Sequence, residues 1–489
     1  PLDSQGMVVS VGAKAATDTT NRVGSDVTPE LSGIFSFTND DSTWGVGLTA
    51  SHQQRDSGST ASLINGWLVG VWDDAADPNR LWNNPDVEII NPPDQGQLYS
   101  RPQDIRYQFD DNQRTTDNAQ LTLQFKPMEN LTFTADYTFA EKEGINDFGQ
   151  IGNWMQQSQF TKIIEFSDDE VATPIYVKED YTNSDGTPGV RDESYAQRHT
   201  ETTNTLKAVG FNVDFQVNTD LNVRLDISDA QMYVRGTGPQ GTSHIQVGLG
   251  NNSVASKELF YSKGLPTYVN VYNDCVATRY NCNGVLDAGD VSSTIGERVY
   301  GEQTTDVTQI QLDGTYQFDD GKFDFGLETR EMESNSYGKT TGNLALGNWN
   351  AGYPGEFGDI VQAFDLPREF EDYPVKPAAD GFKANAVDLF NAAAGFTKAD
   401  GSLFYPDTAK AMLVNRTNIV NEKTKAVYFQ VTLEGELGDM PFDVLAGVRY
   451  EQTDVYSSSI SSAYNSIWED DNDLQFKIDS SVAQPTASA

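Results

Sequence analysis

Histidine and cysteine are nearly absent from this chain, with three of the first and two of the second in 489 residues. His52, His199 and His244 are scattered and lack the spacing of a helical zinc site, so that route to hydrolysis is excluded. Cys275 and Cys282 stand seven positions apart in a polar stretch, which points to one local disulfide in an oxidising compartment, with two free thiols as the alternative. Positive charge is also short: 33 Lys and Arg face 72 Asp and Glu, a formal net charge of −39. A polyanion gains affinity from basic side chains that neutralise its phosphates, so nucleic acid is excluded as a partner and an anionic membrane surface is disfavoured. No run of about 18 apolar residues occurs, which excludes a helical membrane span. Mean hydropathy is −0.51, the value of a polar chain, but a barrel strand turns only every second residue to lipid and gives a polar average too.

The ends carry little. Pro1-Leu2-Asp3-Ser4 has neither the basic start nor the apolar centre of a signal peptide, and Gln484-Pro485-Thr486-Ala487-Ser488-Ala489 resembles neither a strand nor a docking helix. A fragment of a longer chain is expected.

What is abundant is period-two alternation in paired runs. Leu121, Leu123 and Phe125 alternate with Thr122 and Gln124, the chain turns at Lys126–Asn130, and Leu131, Phe133, Ala135, Tyr137 and Phe139 return. Phe211 to Val217 and Leu221 to Ile227 repeat the pattern around Asn218-Thr219-Asp220. Further pairs flank Asp319-Asp320-Gly321 and Gly438-Asp439-Met440-Pro441, and Ile34–Thr38 and Trp44–Ala50 flank Asn39-Asp40-Asp41-Ser42.

Between the hairpins lie long polar connections, near 55–102, 143–200, 235–303 and 336–422. Short turns at one end and long loops at the other predict an all-β, antiparallel up-and-down transmembrane β-barrel, partial, with about 10–11 strands and long extracellular loops. Phe35, Phe37, Trp44, Phe125, Phe215, Phe318, Phe323 and Phe442 fall close to the tight turns, as an interfacial aromatic girdle would. The opposite face carries Asn, Gln, Asp, Thr and Arg, which suits a watery or plugged lumen.

Asn118–Pro127 continuing into Asn130–Thr138, together with Gly447-Val448-Arg449-Tyr450-Glu451 and Thr28-Pro29-Glu30-Leu31-Ser32-Gly33, resembles the barrel of TonB-dependent outer-membrane receptors. The resemblance covers the strands and hardly touches the loops. It implies a barrel of about 22 strands filled by an N-terminal plug. It also implies a place in the outer membrane of a Gram-negative bacterium, and uptake of a scarce ligand driven by the TonB complex. Neither plug, TonB box nor terminal aromatic strand is present in the sequence, so TonB would be engaged through a missing plug. The expected partners are outer-membrane lipid, the TonB complex and a small-molecule or oligosaccharide ligand, with an oligosaccharide preferred to an iron chelate. The alternative is a secreted acidic calcium-binding β protein, such as an adhesin or carbohydrate-binding module.

Catalytic patterns are poor, and no enzyme is expected. Gly338-Lys339-Thr340 fails as a phosphate loop because Glu333 replaces its first glycine. Gly236-Thr237-Gly238-Pro239-Gln240-Gly241 fits a dinucleotide loop, yet Pro239 interrupts it and an extended stretch follows. From Arg279 to Asp290 the spacing imitates a calcium loop, with Asn281, Asn283, Gly284, Asp287 and Asp290 in ligand or turn positions. Arg279 stands where the first carboxylate belongs, and an ordinary disulfide-pinned turn is the competing reading. The loop aromatics Trp67, Trp72, Trp82 and Trp349 are ligand-contact candidates, beside Asp73, Asp74, Asp77 and Arg80, with packing inside the loops as the rival. Phe382, Ala386, Leu389, Phe390 and Ala393 have helical spacing and predict a short docking helix.

Overall fold

A computed structural model describes the chain except for positions 4, 74–86, 156–159, 262–263, 277–280, 343, 346–354, 373–380, 398–400, 404–410, 438–439, 469–473 and 488–489. At 344–345, 437, 441 and from 460 onward only the backbone is described.

The strands in chain order are β1 (Gly6–Thr17), β2 (Val27–Thr38), β3 (Trp44–Leu63), β4 (Trp67–Val71), β5 (Glu88–Ile90), β6 (Leu98–Pro102), β7 (Asp104–Met128) and β8 (Leu131–Trp154). There follow β9 (Thr161–Phe166), β10 (Val171–Ala172), β11 (Pro174–Asp180), β12 (Arg191–Gln216), β13 (Leu221–Gly236), β14 (His244–Phe260), β15 (Thr267–Tyr272) and β16 (Ser292–Phe318). The last are β17 (Gly321–Thr340), β18 (Leu344–Ala345), β19 (Gln362–Phe364), β20 (Gly381–Lys383), β21 (Leu413–Leu437), β22 (Met440–Trp468) and β23 (Leu474–Ala487). Two short helices, α1 (Leu366–Glu369) and α2 (Ala386–Ala393), precede β20 and β21 respectively.

Long strands pair antiparallel with their neighbours in the order β1, β2, β3, β7, β8, β12, β13, β16, β17, β21, β22, β23. Side chains alternate between the two faces, so an unbroken register carries apolar residues across the sheet in rows. One row runs Trp44, Phe125, Phe133, Val213, Leu225, Leu312, Leu327, Val427, Tyr450 from β3 to β22. Much of it is exposed, Trp44, Phe125, Leu312, Leu327 and Tyr450 among others. Strands outrun the alternation that reveals them: β3 continues to Leu63 and β8 to Trp154, because the backbone ladder persists where both faces turn polar.

The connections at 64–103, 155–190, 237–291 and 341–412 build a cap with strands and helices of its own. β14 occupies the gap above β13, bonding to the first part of β12 on one side and of β16 on the other. The cap's core is aromatic and aliphatic: Phe109 stacks on Phe364 at 4.3 Å, Tyr107 meets Phe370 edge-on, and Tyr195 meets Phe382. Helix α2 forms where Asn385 accepts the N–H groups of Val387 and Asp388. It buries Ala386, Leu389, Phe390 and Ala393 and packs on β14. Phe382, which shares the helical spacing, lies in β20 instead, because Asn385 starts the helix after it.

The expected transmembrane barrel does not form. Among the described residues β1 bonds only to β2 and β23 only to β22, so the sheet stays open. Each free edge leaves backbone N–H and C=O groups that hydrocarbon cannot satisfy. Moreover, Phe125 and the cap-covered Tyr107 and Phe109 share one face of β7, with no register shift between them. The face assigned to lipid therefore carries the cap at its loop end. The all-antiparallel expectation is corrected too, since β5–β9 and β6–β10 pair parallel. The fold is mostly β with short helices, and no described helix is long and apolar enough to cross a membrane.

Leu389 is fully buried between α2 and the sheet. Leu389→Ala should cost roughly 2–5 kcal/mol in urea denaturation, whereas Leu433→Ala, at an exposed position, should stay within about 0.5 kcal/mol. Equal costs at the two positions would contradict a cap that is integral to the fold.

Candidate functional site

The register brings Asp111 on β7, Asp147 on β8 and His199 on β12 side by side in one row. Above the row sits a cavity of about 600 Å³, whose polar lining includes Asp111, Asp147, Asp359, Lys383, Asn385 and Asp388. Asp111 is buried and doubly paired: Arg22 Nε reaches it at 2.8 Å from the β1–β2 turn, and Lys383 Nζ bonds it from β20. Arg22 also binds Glu369 of α1 at 2.6 Å, so one guanidinium ties the edge turn, the sheet and the cap together. Its planar fork of donors suits two carboxylates at once.

Asp147 is bound by His199 Nδ1 at 2.8 Å, and His199 Nε2 lies 3.6 Å from Glu201. The hydrogen bond to Asp147 lifts the His199 pKa above its ordinary 6.5; burial opposes the shift, while the charges of Asp147 and Glu201 add to it. Asp359 and Asp388 differ from these paired carboxylates. Both are exposed, and among the described residues neither has an ion pair. The cavity thus presents two countered and two uncountered carboxylates around one lysine.

Deeper in the cap a second polar group is fully packed. Glu193 accepts from Asn153 at 2.8 Å, Tyr195 at 2.6 Å and Tyr272 at 2.8 Å, which joins β8, β12 and β15 through one buried carboxylate. Burial, then the Glu193 charge, pushes the Tyr195 phenol far above its usual range, so it remains a donor. Lys257 is buried on β14 and donates to the Trp154 carbonyl at 2.9 Å, and burial lowers its pKa against the pull of Glu179, Asp192 and Glu193. These groups satisfy one another and act as internal fasteners.

The ligand candidates read from the sequence are not gathered into one place. Trp72 is buried, edge-on to Tyr99 at 5.8 Å and Phe166 at 5.5 Å, so its indole belongs to the cap core. Trp67 is 43% exposed on β4, opposite Pro102. Trp82 and Trp349, with Asp74, Asp77 and Arg80, lie outside the described residues. Cys275 and Cys282 are disulfide-bonded with Cα atoms 4.6 Å apart. Their sulfurs lie close to Asp274, but a disulfide offers no thiolate to a metal.

In the adjoining loop Asp287 accepts the amide of Asn283 at 2.9 Å and of Asn281 at 3.4 Å, and Asp290 accepts the Asp287 N–H at 3.0 Å. Burial raises the Asp290 pKa; the Asp287 N–H opposes this, and the Asp287 and Asp274 charges reinforce it. Arg279 lies outside the described residues. The dinucleotide-like glycines form a turn that leads into strand β14 rather than a helix, and Gly338-Lys339-Thr340 ends strand β17. Reasoning along the chain missed Arg22, Asp111, Asp147, Asp359, Lys383 and Asp388, which come from six separate segments and share no local motif.

Against known proteins, no family model matches the chain, and no curated protein matches it either. What fold and site define is a mostly β protein with an acidic, capped cavity. The resemblance to TonB-dependent receptors is withdrawn: no match supports it, and the sheet is neither closed nor free of the cap on its apolar face. With it go TonB-driven uptake, partnership with the TonB complex and outer-membrane lipid, and the Gram-negative outer membrane as the location.

Because its folded pKa is raised, protonated His199 contributes stability that is fully present below its unfolded value of 6.5 and lost as pH rises through the folded pKa. His199→Gln should therefore lower Tm most at acidic pH, with the gap closing as pH rises past 6.5 and through the raised folded pKa. Parallel Tm profiles for the two proteins would rule out this contribution.

Proposed function

We propose that the protein is a binding protein, not a catalyst, whose cap cavity takes a compact ligand bearing positive charge. The observation that carries this reading is the pair Asp359 and Asp388, exposed at the cavity without a basic partner among the described residues. Lys383 and Arg22 are already engaged by Asp111 and Glu369, and His199 by Asp147. A cationic group entering the cavity would meet carboxylates whose charge is unspent. The net charge of −39 adds a long-range field of the same sign, which draws cations toward the surface.

Binding rather than bond-making is favoured by the lining. Among the described residues the cavity lining includes no Ser, Cys or Thr that a base could activate, and its histidine neighbour is held between two carboxylates. Asn385 spends its side-chain oxygen on the start of α2, so it shapes the wall rather than reacting.

Titration calorimetry with a small diamine tests the reading. The full chain should bind saturably, and Asp359→Asn combined with Asp388→Asn should weaken binding at least about tenfold, as expected for losing charge-assisted hydrogen bonds. Asp40→Asn combined with Asp41→Asn, at a remote turn, should leave affinity unchanged. Equal loss in both double variants would mean that only the overall field matters, and absence of saturable binding would refute the proposal.

A further inference from the structure

Asp290 is fully buried, yet half of its carboxylate is unused. Oδ2 accepts the Asp287 N–H at 3.0 Å, whereas Oδ1 has no hydrogen-bond partner. A buried carboxylate oxygen is costly to leave unmet, and the meeting group is normally a donor or a cation. Among the described residues no basic side chain pairs with it; the charges acting on it are the carboxylates of Asp287 and Asp274.

The neighbouring amides are engaged at both ends within the loop: Asn281 Oδ1 accepts the Asn283 N–H at 3.3 Å and Asn283 Oδ1 accepts the Val285 N–H at 2.8 Å. The amides of Asn281 and Asn283 both turn their NH₂ groups to Asp287. A half-turn about the last side-chain bond would bring each carbonyl oxygen toward Asp287 and release these two backbone N–H groups, a cost that a bound cation has to offset. Gly284, at φ +78°, makes the sharp bend that brings Asn283 back over Asp287, a conformation that a side chain would strain. Counted from Asn281, the spacing to Asn283, Asp287 and Asp290 follows the third, fifth, ninth and twelfth places of a calcium loop. The Cys275–Cys282 bond anchors the entry to this segment beside Asp274.

We infer that the segment Asn281–Asp290 binds one calcium ion, with Asp287 and the free Oδ1 of Asp290 as charged ligands and the Asn281 and Asn283 amide oxygens as neutral ones. An all-oxygen set on a flexible loop suits calcium, whereas zinc prefers nitrogen and sulfur and magnesium demands a rigid octahedron. The ion would answer the unmet Asp290 oxygen and tie the cap loop to the start of β16. It is a different site from the cavity, and it stands or falls independently of that reading.

The test uses the oxidised full chain, stripped with a chelator and titrated with calcium chloride by calorimetry, with Tm measured in parallel. One saturable site is expected, in the range of about 10⁻⁵–10⁻³ M for a loop with few charged ligands, together with a rise in Tm that chelator reverses. Asp287→Asn and Asp290→Asn should each weaken binding at least about tenfold, and Asn283→Asp should tighten it, since affinity follows ligand charge. Asp359→Asn combined with Asp388→Asn should bind calcium as the unaltered chain does. The inference is overturned if the unaltered chain shows no saturable site, if both loop variants bind undiminished, or if Asn283→Asp brings no gain. A calcium response lost only in the Asp359 and Asp388 double variant overturns it too, by placing the ion in the cavity.

Discussion

A nearly continuous antiparallel register is the constraint from which the remaining structure follows. Each long strand bonds to the next with few slips, so a residue's parity decides which face it occupies over the whole sheet. On the β7 face that bears Phe125, the same parity gives an exposed apolar band near the tight turns and a covered aromatic core under the cap. A one-residue slip in β8 would send Asp147 to the opposite face, away from Asp111 and His199, and dismantle the cavity floor. The site is therefore a consequence of ladder geometry first and of side-chain chemistry second.

The cap is fastened to this sheet by two different means. Aromatic contacts such as Phe109 with Phe364 and Tyr195 with Phe382 supply apolar burial without fixed direction. Directional bonds then select one arrangement: Arg22 spans Asp111 and Glu369, and Glu193 collects donors from three strands. In a chain so rich in carboxylates, the few basic residues are spent where several acids must coexist. Arg22, Lys383 and His199 each sit at such a junction, while among the described residues Asp359 and Asp388 have no ion pair and Asp290 keeps one oxygen unmet.

Legibility along the chain tracked how local each interaction is. The alternation in 121–139, 211–227 and 310–327 marks strands because a pleated backbone imposes period two on its neighbours in sequence. β1 alternates only in part, since Val8 stands beside Val9 and Ala15 beside Ala16, and its pairing with β2 shows it as a strand. The 3.6-residue spacing of Ala386, Leu389, Phe390 and Ala393 announced α2 for the same local reason, but Asn385 excluded Phe382 from it. Loop tryptophans were a weaker guide, since an indole serves a core as well as a ligand, and Trp72 is in the core.

The sequence by itself determined the strands of the five hairpins, their tight turns, the acidity and the calcium-like spacing of 281–290, all properties of residues within a few positions of one another. Closure was not among them: whether a meander seals into a barrel depends on its outer edges meeting, and β1 and β23 do not pair. Only the tertiary structure placed Arg22 beside Asp111 and Glu369, residues 89 and 347 positions away, and set Asp147 against His199. Such contacts arise from register and packing between distant segments, where periodicity carries no information. The same holds for the unmet oxygen of Asp290, since whether a carboxylate finds a donor depends on everything folded around it.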